Sequence, residues 1–141
     1  MRQTPAQNDA IAHILKHHRT IAVVGLSPNP QRDSYEVAEY MQAQGWRIIP
    51  VNPAAKVNEI LGEKVYPSLV EAAKAEKIDL VDVFRRSEDV PPVADEAIRI
   101  GAKGLWLQLG IEHAASLEKA RAAGLWVVQN KCLLVEHRRA G

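Results

Sequence analysis

Residues 25 to 35 read G-L-S-P-N-P-Q-R-D-S-Y, the stretch of the chain whose side chains suggest the most definite chemistry. Gly25 closes the apolar run I-A-V-V where a sharp turn from strand to helix is needed, and glycine takes the backbone angles of such a turn at no steric cost. Ser27 adds a hydroxyl donor and Arg32 a fork of charged donors. A helix beginning near Ser34 contributes unpaired amides and the positive end of its dipole. Together these groups would hold an anion such as a phosphate. Pro28 and Pro30 stiffen the loop, so it loses little entropy on closing over a ligand. An ordinary capped helix competes with this reading, because Asp33 as N-cap with Glu36 three residues later would occupy the same amides.

The loop departs from a dinucleotide fingerprint at two places. Ser27 and Pro30 stand where the second and third glycines belong. The next apolar segment ends Val51-Asn52-Pro53, without the acidic residue that would bind free ribose hydroxyls. Both departures remove support from a nicotinamide dinucleotide. What remains is a helix start able to hold an anion.

Other candidate residues fall at comparable positions. Arg85 and Arg86 follow Val83-Phe84 directly, with Arg85 the better placed for a ligand. Phe84 could stack on a base or fill the core. Gln108, polar within an apolar segment, either meets a buried backbone partner or turns its amide to a ligand at the rim, and Gly110 would permit close approach. Cys132 is either a small buried apolar residue or a thiol activated by Lys131. No catalytic role is assigned to it. His13 and His17 share a helical face, but no further ligand completes a zinc set, and no P-loop, nucleophile elbow or Ser-His-Asp order is present.

These residues need a scaffold, and hydrophobic periodicity supplies one. Strands are expected at Thr20 to Gly25, Trp46 to Val51, Leu80 to Phe84, Gly104 to Leu109 and Leu125 to Val128. Most are apolar throughout, as when helices cover both faces of a parallel sheet. Between them lie helical patterns at Ser34 to Gln44, Ser68 to Glu76, Val93 to Ile100 and Ala114 to Ala123, with an extra N-terminal helix over Ala6 to His18. Pro67-Ser68 and Pro91-Pro92 mark helix entrances. The expectation is an α/β doubly wound parallel five-stranded sheet of order 3-2-1-4-5. Its ligand crevice would lie at the carboxyl ends of the strands, between the first and fourth, where the order reverses.

The whole chain of 141 residues suits a single domain, and 47% hydrophobic content is enough for one core. Its 18 basic and 17 acidic residues nearly balance, which argues against nucleic acid as a partner. The apolar runs are strand-sized, far below a membrane span. The opening M-R-Q-T-P-A-Q-N-D lacks a signal core, and the single cysteine makes no internal disulfide. A cytoplasmic location is expected.

The pattern G-x-S-x-x-P-x-R-x-S-Y at Gly25, Ser27, Pro30, Arg32, Ser34 and Tyr35 resembles the small stand-alone CoA-binding proteins, themselves similar to the CoA-binding domain of the succinyl-CoA synthetase alpha subunit. The resemblance continues through P-V-N-P at Pro50 to Pro53, E-I-L-G at Glu59 to Gly62, V-D-V-F-R at Val81 to Arg85, W-L-Q-L-G at Trp106 to Gly110 and C-x-x-x-E at Cys132 to Glu136, covering Arg19 to His137. It implies a Rossmann-like fold and coenzyme A as the ligand. Carried onto matching positions, it implies Gly25, Ser27, Arg32 and Ser34 around the phosphates, Asn52 and Pro53 in the next loop, and Phe84 and Arg85 beside the adenosine or its phosphate. It further implies non-covalent binding of CoA or acyl-CoA by a carrier, sensor or accessory protein. The rivals are a small transferase or thiol-exchange enzyme using Cys132, and an interaction module with a vestigial crevice. The synthetase's phosphorylated histidine belongs to a second domain for which this chain is too short, so ligase activity is not expected.

Overall fold

A computed structural model describes the backbone of residues 3–141 and the side chains from Gln7 onward. Residues 1 and 2, part of the stretch read above as lacking a signal core, lie outside it. The described elements are α1 (Gln3–His17), β1 (Thr20–Val24), α2 (Asp33–Ala43), β2 (Arg47–Val51), β3 (Glu59–Ile60), β4 (Glu63–Lys64), α3 (Leu69–Ala75), β5 (Leu80–Val83), α4 (Val90–Arg99), β6 (Gly104–Leu107), α5 (Ala114–Ala122), β7 (Trp126–Val128) and α6 (Leu133–Ala140). All five expected strands are present and pair in parallel.

The sheet order is β2-β1-β5-β6-β7, so the third long strand lies beside the first rather than outside the second. This corrects the expected 3-2-1-4-5 arrangement. The reason is the face on which each crossover helix packs. A right-handed crossover carries the chain one way across a sheet when its helix covers one face, and the other way when it covers the opposite face. Leu69 and Ala72 of α3 join Ala94 and Ala97 of α4 and Leu117 and Ala120 of α5 in one core cluster. Ile14 of α1, Val37 and Met41 of α2 and Leu133 of α6 form the other. Helix α3 therefore changes face relative to α2, and the chain steps back over β1. The reversal falls between β1 and β5, which moves the expected crevice from beside the fourth strand to the junction of these two.

Two features have no counterpart in the expected pattern. Strands β3 and β4 form an antiparallel hairpin whose two turn residues, Leu61 (φ 55) and Gly62 (φ 77), both have positive φ. Such a turn suits a two-residue hairpin, and leucine in its first position hid the usual signal. The chain then runs along the outer edge of β2, where Tyr66 donates its N–H to Pro50 O (3.0 Å) and accepts from Asn52 N (2.9 Å). Helix α6 is the second addition, anchored by fully buried Leu133.

Helix entrances follow local chemistry. Ser68 caps α3, its hydroxyl accepting from Glu71 N (3.1 Å). Pro91 and Pro92 sit in the first turn of α4, where a missing N–H costs nothing. Fully buried Trp106 fills the core from the middle of β6 and donates its indole N–H to Lys131 O (2.8 Å). On the same face of β6, two residues before Trp106, there is no room to spare: a Cβ added at Gly104 would come within 2.8 Å of the His18 ring.

His18 is 1% exposed, and neither ring nitrogen has a partner among the described residues. Burial holds its pKa down to about 4, with nearby Asp79 opposing and the charges of His13, Lys103 and His17 assisting. The imidazole is thus neutral in the folded protein near pH 7.

Candidate functional site

The site is built where β1 and β5 end side by side. Gly25 has φ +89 and donates its N–H to Val51 O (2.8 Å). A Cβ placed on it would stand 2.7 Å from the Phe84 carbonyl oxygen and 3.2 Å from Arg85 Cδ. Glycine is required twice over here, by its backbone angle and by the close approach of the β5 loop. Leu26, fully buried, then pins the chain before it turns outward.

The following loop is held by its own side chains. Ser27 N donates to Ser34 Oγ (3.0 Å), Asn29 N to Ser27 Oγ (3.0 Å) and Gln31 N to Asn29 Oδ1 (2.9 Å). Asn52, at the end of β2, donates Nδ2 to Leu26 O (2.9 Å) and accepts from Ala54 N (2.9 Å), tying two loops together. Ser34 is buried beneath the loop as its brace, whereas the Ser27 hydroxyl, which accepts from Asn29, retains its own hydrogen to donate.

The N-cap of α2 is Arg32 (φ −88, ψ 146), and its side chain makes no capping bond. Asp33 is therefore the first residue inside the helix rather than its cap, and the capping-box alternative does not form. The helix start keeps its capacity for an external acceptor. Arg32 is exposed and enters no ion pair among the described residues. Arg85, partly buried, lies 3.7 Å from Asp89, and Arg86 pairs with both Glu88 (3.8 Å) and Asp89 (3.4 Å) across the 3-10 turn Ser87–Asp89.

Pro28 and Pro53 are exposed on the flanking loops, while Tyr35 and Phe84 are partly buried, each with one side against the core. These residues share one edge with Gly25, Ser27, Arg32, Asn52 and Arg85. Gly110 (φ +86) lies on the neighbouring β6 loop with open space where a Cβ would be, its N–H donated to Asn130 Oδ1 (2.8 Å). Cys132, partly buried, is the N-cap of α6 and gives no side-chain cap.

Gln108 needs correction as a ligand-facing residue. It is 3% exposed and both ends of its amide are used: Nε2 donates to Asp82 Oδ1 (2.7 Å) and Oε1 accepts from Leu133 N (3.3 Å). Its buried partners are a carboxyl group and the first amide of α6. Asp82 itself was missed in the sequence because it reads as one polar break in an apolar strand. It is 1% exposed, its Oδ2 has no partner among the described residues, and burial pushes its pKa up to about 7 against the opposing hydrogen bond from Gln108. Asn29 and Asn130 were missed too, although asparagine's tolerance of positive φ and its local side-chain bonds offered a signal, realised at Asn130 with φ 58.

Cavities of about 300 Å³, lined by His13, His18, Lys103 and Trp126 among others, and about 460 Å³, beside Tyr40 and His137, lie away from these loops. The His13 and His17 rings are 4.6 Å apart, yet among the described residues no group of three or more His, Cys, Asp or Glu side chains could hold a metal. No helix among those residues is long and apolar enough to cross a membrane.

The five-stranded parallel sheet, covered by helices on both faces and reversing beside Gly25, defines a Rossmann-like α/β protein. The family model described as the CoA binding domain matches residues 19–138, and the chain belongs to that family. It is 40% identical over 135 residues to the uncharacterized protein YneT of Bacillus subtilis (strain 168), covering 96% of each chain. Among solved structures, a hypothetical protein from Pyrococcus horikoshii OT3 matches with TM-score 0.86 and 38% identity, over 94% of this chain and 90% of that one. The structure of cell-free ID.343 from Thermus thermophilus matches with TM-score 0.86 and 36% identity, over 95% and 98%.

Proposed function

We propose that this chain is a single domain that binds coenzyme A or an acyl-CoA non-covalently, as a carrier, sensor or accessory protein acting in the cytoplasm. The observation that carries the reading is the junction at Gly25: a rigid serine loop, an uncapped start of α2 and Arg32 face the same edge as Phe84 and Arg85. Forked guanidinium groups and helix-end amides suit the pyrophosphate and 3'-phosphate of CoA. Asn52, where a dinucleotide site would place an acid, spends its side chain on the loops and leaves no charge against a ribose phosphate. Gly25, Ser27, Pro28, Arg32, Ser34, Tyr35, Asn52, Pro53, Phe84, Arg85, Gly110 and Cys132 are the candidate residues, with Ser34 acting as a brace.

Calorimetry with CoA, dephospho-CoA and NAD tests the reading. CoA should bind best, with at least a tenfold loss on removal of the 3'-phosphate, since each charged hydrogen bond contributes about 1.5–3 kcal/mol. NAD binding as tightly as CoA would refute it. The arginines sharpen the test. Arg32→Ala should weaken CoA by about tenfold, because Arg32 has no ion pair among the described residues, while Arg86→Ala, 78% exposed and held by two acids, should cost less than about twofold. Equal losses would remove the role assigned to Arg32.

A further inference from the structure

Asp82 lies on the same strand as the proposed site, two residues before Phe84, and so about 7 Å below the carboxyl edge at a strand's rise per residue. In the sheet it stands between Val23 of β1 and Trp106 of β6. Gln108 links it to the first amide of α6, so one hydrogen-bonded chain runs from this carboxyl to the helix that starts at Cys132. The second oxygen, Oδ2, is buried and unpartnered among the described residues.

We propose that Asp82 is a further positioning residue of this crevice, holding the start of α6 through Gln108, and that it takes up a proton from solvent on Oδ2 when a phosphate-bearing ligand binds above it. The inference rests on the CoA reading of the site. With its carboxyl ionised, Asp82 places a negative charge in a low-dielectric core beneath arriving phosphates; protonated, it keeps the Gln108 bond through Oδ1 without that repulsion. A charge about 10 Å from one phosphate charge, at an effective dielectric near 20, changes affinity by on the order of tenfold.

The surroundings leave Asp82 as the responsive group. Its titration is displaced by burial, with only the Gln108 amide opposing, and no charged side chain contributes. Its sheet neighbours Val23 and Trp106 and its hydrogen-bond partner Gln108 do not titrate. Three helices cover this face. On α6 are Cys132, Glu136, His137, Arg138 and Arg139, where His137 Nδ1 is bonded to Tyr40 OH (2.9 Å). On α2 are Asp33, Tyr35, Glu36, Glu39 and Tyr40; on α1 are Asp9, His13, Lys16 and His17, with His18 just beyond. A phosphate monoester gripped by arginine would itself release a proton on binding, the opposite sign.

The test is calorimetry of CoA binding at pH 7.5 in two buffers of different ionisation enthalpy, with affinity measured from pH 6.5 to 8.5. Wild type should take up about half a proton per CoA bound and lose up to tenfold in affinity as pH rises, and Asp82→Asn should take up none and bind with little pH dependence. The carboxyl carbon of Asp82, followed by NMR in wild type with and without CoA, should titrate about one pH unit higher in the complex, a readout that requires no variant. Unchanged Asp82 titration together with tight CoA binding would overturn this inference alone. Absence of CoA binding at every pH would overturn the site itself, and the inference with it.

Discussion

Gly25→Ala is expected to destabilise the protein by about 3 kcal/mol and to abolish detectable CoA binding. Two costs add. An alanine at φ +89 bears a left-handed backbone penalty of roughly 1–2 kcal/mol. Its Cβ would also stand 2.7 Å from the Phe84 carbonyl, a backbone atom that moves only if the β1 and β5 loops separate, and overpacking of this kind costs about 1–3 kcal/mol. Urea unfolding measures the first effect and calorimetry the second. Gly110→Ala is the control. It shares a positive φ, but open space surrounds its Cβ position, so only the backbone penalty applies. Equal destabilisation by the two substitutions would show that the close contact with Phe84 contributes nothing.

The second large effect is in the pH dependence of stability, where two buried groups act in opposite directions. Asp82 titrates near 7 folded and near 4 unfolded, so the folded state binds the extra proton between these values and stability falls as pH rises from 4 to 7. His18 titrates near 4 folded and near 6.5 unfolded, so the unfolded state binds the extra proton and stability is lost as pH falls from 6.5 to 4. From pH 4.5 to 6.5 the two contributions nearly cancel. Asp82→Asn should expose the His18 slope, gaining about 2–3 kcal/mol of stability across that window, and at pH 8 should exceed wild type by about 3–4 kcal/mol. His18→Gln should show the reverse slope, losing stability as pH rises. Denaturant unfolding at several pH values checks both. Parallel profiles for wild type and Asp82→Asn would contradict the assignment.

The strands and five of the helices were legible because their apolar content and their Gly and Pro boundaries are local properties. Strand order was not, because it depends on which face each crossover helix chooses, and α3 carries buried residues at Leu69 and Ala72 that would serve on either face. The hairpin was hidden by Leu61, a residue that rarely takes positive φ. Helix α6 is eight residues long, begins soon after the last strand and bunches its apolar residues at Leu133, Leu134 and Val135, too short a run to repeat a helical period.

At the candidate site, Gly25, Ser27 and Arg32 stood out by residue type alone, and the structure places all three in the loop between β1 and α2 with glycine required at position 25. Gln108 was placed at the rim because its partner lies on another strand, and pairing between β5 and β6 is a tertiary fact. Asp33 looked like a cap because the capping-box pattern counts spacing, whereas the loop's own bonds at Ser27, Asn29 and Ser34 start the helix one residue earlier.

The most direct test of the CoA reading is amide chemical-shift mapping of the labelled protein during titration with CoA. The account predicts saturable shifts concentrated at Gly25, Ser27, Arg32, Ser34, Asn52 and Arg85, with NAD producing far smaller ones at the same concentrations. Shifts centred instead on the cavity of His13, Lys103 and Trp126, or no saturable shifts at all, would contradict it.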